Sequence, residues 1–229
     1  MKKPNISIAF LRAVLSYGLV LAANVHMASA HSVWIEETRN HQLVVRFAEW
    51  PDAYEVSPGH LDELSIPDAW KLGATNQPVA LKVKKKSDQF QLLGATSKDA
   101  VQVETGFDVM TATNGPSRKP YFYARWQPAG SGAARPSLNF DIVPTGNPGE
   151  YQVYFRGSPL GGTTVTAHTP DGKEKDLTAD EHGIVHFTGT KPGLYLLTCA
   201  HQRENVKGYS DGVAYDVVSH NCAISWRQP

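Results

Sequence analysis

Two cysteines and three histidines stand at positions where their chemistry can be combined. Reading Leu194 to His201 and Ser219 to Trp226 as antiparallel neighbours, a register that sets Cys199 opposite Cys222 also sets Leu197 opposite Ile224, Tyr195 opposite Trp226 and His201 opposite His220. Like meets like on each rung, as a correct pairing requires when side chains alternate faces. Directly opposed residues have Cβ atoms roughly 4.5–5.5 Å apart, so two imidazoles could share one metal ion above a cross-strand Cys199–Cys222 disulfide. The third histidine, His31, follows Ala28-Ser29-Ala30. As a new N-terminus it would offer its α-amine and Nδ1 as a chelating pair, giving a metal set of His31, His201 and His220. Imidazole suits Zn, Cu, Fe and Ni, so ligand type alone does not name the ion.

The beginning of the chain supplies that terminus. Lys2, Lys3 and Arg12 precede an apolar run, Ala13 to Val25, and a small-residue ending, the three-part pattern of a secretory signal cleaved after Ala30. The run is too short for a membrane span, so a soluble periplasmic protein is expected. Of 22 basic and 22 acidic residues the signal removes three basic ones, leaving a net charge of −3. Such a balance does not suit nucleic acid, whose binders concentrate positive charge. Two cysteines in an oxidising compartment favour one disulfide.

The remaining sequence reads as mainly β. His31 to Trp50 forms two strands, Pro51 to Gly73 is a loose segment with short helical turns at LDEL and PDAWKL, and Ala80 to Leu93 is a hairpin. Gln127 to Ser137, rich in Gly, Ala and Pro, reads as a linker. The expected organisation is a signal peptide (1–30) and two β-sandwich-like domains of Ig or prealbumin type (31–127 and 137–229) joined by 128–136. Short alternating runs with Gly, Pro and Asp turns follow the linker.

Within those runs, Gly157 to Val165, Asp180 to Gly183 and Lys191 to Leu196 resemble the prealbumin-like, carboxypeptidase-regulatory sandwich. The wider layout resembles the NikM-like family of exported proteins of unknown function associated with nickel and cobalt uptake. The matching elements are His31-Ser32-Val33-Trp34-Ile35-Glu36, Thr198-Cys199-Ala200-His201, and Tyr215-Asp216-Val217-Val218-Ser219-His220 ending in Trp226. The resemblance implies a non-enzymatic nickel- or cobalt-type metal protein that serves uptake or handling, with a membrane transporter or outer-membrane receptor as partner. The Cys199/Cys222 pair departs from that pattern.

Asp216, in the long segment between the paired strands, is the carboxylate chosen to orient a ligand imidazole from behind. His60, in a Pro-Gly-His loop, is the candidate extra ligand; His41 and His182 fall in turns, and His168 and His186 are expected to face solvent. Two alternatives stay open. A copper-dependent polysaccharide monooxygenase would use His31 as an N-terminal brace, and a structural or adhesion module would bind no metal. No H-E-x-x-H or phosphate-cradling loop is present.

Overall fold

Strands dominate because β-branched and aromatic residues alternate with polar ones between frequent turn residues. A computed structural model describes residues 31–73, 77–111 and 115–229, with His201 described by its backbone alone. The expected signal peptide lies outside the described residues. Among them a single 3-10 turn, His60–Asp62, is the only helical element, and no helix is long and apolar enough to cross a membrane.

The strands form three layers. The central sheet has eight, in the order β13 (Glu174–Thr178), β12 (Thr164–His168), β15 (Gly193–Glu204), β18 (Val217–Gln228), β8 (Arg118–Trp126), β7 (Val101–Gly106), β3 (Asp68–Leu72) and β4 (Pro78–Ala80). One face is covered by β1 (Ser32–Glu37), β2 (Gln42–Ala48), β6 (Phe90–Thr96) and β5 (Lys82–Lys85). The other is covered by β9 (Phe140–Pro144), β10 (Glu150–Phe155), β11 (Ser158–Pro159) and β14 (Ile184–His186). A small hairpin, β16 (Gly208–Ser210) with β17 (Val213–Tyr215), fills the span between β15 and β18.

Alternation along the central strands feeds two cores. Phe122, Ala124 and Trp126 on β8, Leu194 and Leu196 on β15 and Ala223 on β18 pack with Val33, Ile35, Val45 and Phe47. Their neighbours Tyr123, Tyr195, Leu197, Ile224 and Trp226 pack with Phe140, Ile142, Val153 and Val185 instead. The β8–β18 pairing is parallel, from Val217 opposite Arg118 to Ser225 opposite Trp126, and joins the two halves of the chain edge to edge. Residues 128–136 therefore carry the chain from the central sheet to β9, and the halves expected as separate sandwiches share a sheet and both cores. A fully buried ion pair, Arg125 with Asp141 at 2.6 Å, ties β8 to β9.

Two local expectations change. The PDAWKL stretch is strand β3, because Trp70 and Lys71 pair with Gln102 and Val101 of β7. His168 is buried, bonded to Thr198 Oγ1 at 2.8 Å and facing Glu174 at 3.1 Å.

Candidate metal centre

The antiparallel β15–β18 ladder carries Tyr195 opposite Trp226, Leu197 opposite Ile224 and Cys199 opposite Cys222, as expected. Beyond the cysteines the register shifts: three residues on β15 span two on β18, so Gln202, not His201, lies opposite His220. Ala200 and His201 together face Asn221, a β-bulge, and one extra residue exchanges the faces of everything after it. Even-numbered residues of β15 then share the side of His220, and Glu204 reaches it. The side chain of His201 lies outside what is described.

His220 is buried and held at both nitrogens, Nδ1 by the Tyr123 hydroxyl at 3.0 Å and Nε2 by Glu204 at 3.0 Å. Burial pushes its pKa down, against the pull of Glu204. Asp216 serves another purpose: its Oδ2 accepts the Ser117 N–H at 3.2 Å, and Lys207 lies 3.6 Å from Oδ1. The carboxylate that orients His220 is Glu204. Cys199 and Cys222 are both buried and are carried as unjoined thiols. Burial raises the Cys199 pKa to about 11 and that of Cys222 well above its ordinary value.

His31 belongs to a different group. Ser32 pairs with Ala48, so the ladder places His31 beside Glu49, on the side of β1 that buries Val33 and Ile35. The chain beyond β2 is drawn back by a bond from the Glu55 N–H to the Phe47 carbonyl at 2.9 Å. Leu61 and Leu64 insert into the core beside it. Between these anchors Gly59 adopts φ 145°, and a Cβ there would stand 2.9 Å from the Val56 carbonyl oxygen, so the turn that presents His60 requires glycine. Asp62 closes the turn, accepting from Ser57 Oγ at 2.7 Å, the Gly59 N–H at 3.0 Å and Lys85.

Two imidazoles thereby converge on one carboxylate. Glu55 Oε1 lies 2.6 Å from His31 Nε2 and 3.2 Å from His60 Nδ1. Their ligand atoms all fall within 4.8 Å of one another. The outer nitrogens meet other carboxylates: His31 Nδ1 is 3.3 Å from Glu49, and His60 Nε2 is 3.3 Å from Glu63. Toward Glu55 the inner nitrogens are donors; Glu49 and Glu63 can hold the ring protons on the outer nitrogens when an ion takes the inner lone pairs, the tautomers metal binding needs. Hydrogen bonds from His31, then from His60, hold the Glu55 carboxyl below its ordinary pKa. Phe47 packs against both rings, at 4.8 and 5.4 Å between centroids, and Phe107 stacks on His60 at 6.1 Å, so one side of the group is dry.

Among the described side chains, His60 is the histidine that stands beside His31, where His201 and His220 were expected. A sequence signal existed, since Gly before His and two apolar residues after it mark a fixed turn rather than a loose one. Glu55 carried none. No protein-family model matches the chain, and no curated protein matches it.

Proposed function

We propose that the protein binds a divalent transition-metal ion through His31, His60 and Glu55 and serves metal uptake or handling in the periplasm. The observation that carries this reading is the double orientation of the two imidazoles, each with one nitrogen toward Glu55 and the other toward a separate carboxylate. Two imidazoles and a carboxylate are a donor set for Zn, Ni, Co, Fe and Mn, with no thiolate to favour a soft ion such as Cu(I). Within that set the NikM-like resemblance favours nickel or cobalt. A copper brace would use the His31 α-amine with Nδ1, and here Nδ1 faces Glu49, which weakens the monooxygenase alternative.

Calorimetric titration of Ni(II), Co(II) and Zn(II) into protein beginning at His31 tests the assignment. One equivalent should bind, His31→Ala and His60→Ala should each weaken it at least 100-fold, and His220→Gln should leave it unchanged. Loss of binding in a folded His220→Gln variant, with His60→Ala silent, would return the site to the late strands.

A further inference from the structure

On the opposite core, where β15 and β18 run past the bulge, a cleft of about 310 Å³ opens against β7 and β8. Its volume lies at the lower end of the ~300–1,000 Å³ range of ligand pockets. Tyr121, Tyr123 and Tyr215 wall it, His220 lies at its back, and Glu104, Glu204 and Arg156 reach it from separate strands or turns. The His220 ring lies nearly parallel to those of Tyr121 and Tyr123, at interplanar angles of 16° and 15°.

The charges in this cleft do not balance internally. Arg156 is taken by Glu204 Oε2 at 2.8 Å, the same oxygen that meets His220. Glu104 has no cationic partner among the described residues. Its cross-strand neighbour is another carboxylate, Asp68, and like charges directly opposed on a ladder destabilise it. Burial first, and Asp68 second, push the Glu104 pKa up. Lys119, the other nearby cation, lies 5.9 Å from the Tyr121 ring centroid and makes no ion pair with either glutamate. A half-buried carboxylate facing a rival charge, between tyrosine rings, is a poor choice for stability alone.

We propose that this cleft is a second binding site, for a small organic ammonium ion, with Glu104 as its counter-charge and the Tyr121 and Tyr215 rings as its walls. Cationic nitrogen is attracted to both groups, since ring faces carry negative potential and a desolvated site strengthens the effect. A bare metal ion suits the cleft less well. Among the described residues, close convergence of three metal-type donors occurs at His31, Glu55 and His60 and not here, and a space this large leaves room for an organic group.

Phenethylammonium serves as the probe, with 2-phenylethanol as its neutral counterpart, titrated by calorimetry into the His31→Ala/His60→Ala protein so that the metal centre plays no part. The ammonium should bind, the alcohol should bind at least tenfold more weakly, and Glu104→Gln should lose at least tenfold in ammonium affinity. Glu104→Gln should also unfold at the same urea concentration as its parent or a higher one, because the change removes repulsion from Asp68. Absence of ammonium binding, equal binding of the alcohol, or unaltered affinity in a folded Glu104→Gln variant would overturn the assignment.

Discussion

The carboxylates around His31 and His60 should rank in a definite order when each is replaced by glutamine. Glu55→Gln keeps size and one acceptor oxygen but removes the only carboxylate that both inner nitrogens meet, at 2.6 and 3.2 Å. Loss of a partner behind a ligand typically costs 10–100-fold in metal affinity, and loss of a charged donor should cost at least the upper figure. A 100-fold loss corresponds to about 2.7 kcal/mol. Glu49 and Glu63 act through the outer nitrogens, and water can replace them in proportion to their exposure. Glu49 is 37% exposed and Glu63 62%, so Glu49→Gln should lose about tenfold and Glu63→Gln only a few-fold, at the low end of that range or below it. The assay is competition against a chromogenic chelator at pH 7.5 for Ni(II) and Zn(II), with circular dichroism as the check on folding. An inverted order, with Glu63→Gln costing more than Glu55→Gln, would refute the inner and outer roles given to the nitrogens.

Two predictions concern the opposite core. Cys199 and Cys222, paired on one rung, should form a disulfide when the protein is exported, closing a loop that stabilises by about 3 kcal/mol; mass spectrometry after alkylation in urea without reductant should find neither thiol labelled, and labelling of both would remove the bridge. Because burial holds the folded His220 pKa below its unfolded value, the unfolded chain takes up the extra proton as pH falls below about 6.5. Stability should therefore decline from that pH down to the folded pKa, and His220→Gln should flatten part of the decline. His168, lowered in the same direction, keeps the rest. Urea unfolding with chelator present between pH 5 and 8 measures the difference, and identical slopes would show that His220 makes no contribution.

How far each part was legible follows from which faces are buried. On β15 and β18 the rungs from Tyr195 to Cys199 match because each misplacement would move a large apolar group into water. Above Cys199 both strands become polar, either register is tolerable, and a one-residue bulge leaves no trace in the pattern; the pairing of His201 with His220 failed at the point where hydrophobic information ended. The loop that carries Glu55 and His60 has no period at all. Its course is set by the Leu61 and Leu64 anchors and by the Gly59 turn, and of these only the turn can be read locally. The shared central sheet, by contrast, was hidden in plain composition. Phe122 to Trp126 and Cys222 to Trp226 bury successive residues rather than alternate ones, including Ala124, Arg125 and Trp126, then Ala223, Ile224 and Ser225. A strand in a two-layer sandwich has one wet face and cannot bury every residue, whereas a strand between two layers must. Those two runs, about 100 residues apart and paired in parallel, already required a third layer, and with it a single body in which the His31–Glu55–His60 group and the tyrosine-walled cleft lie on opposite faces of one sheet.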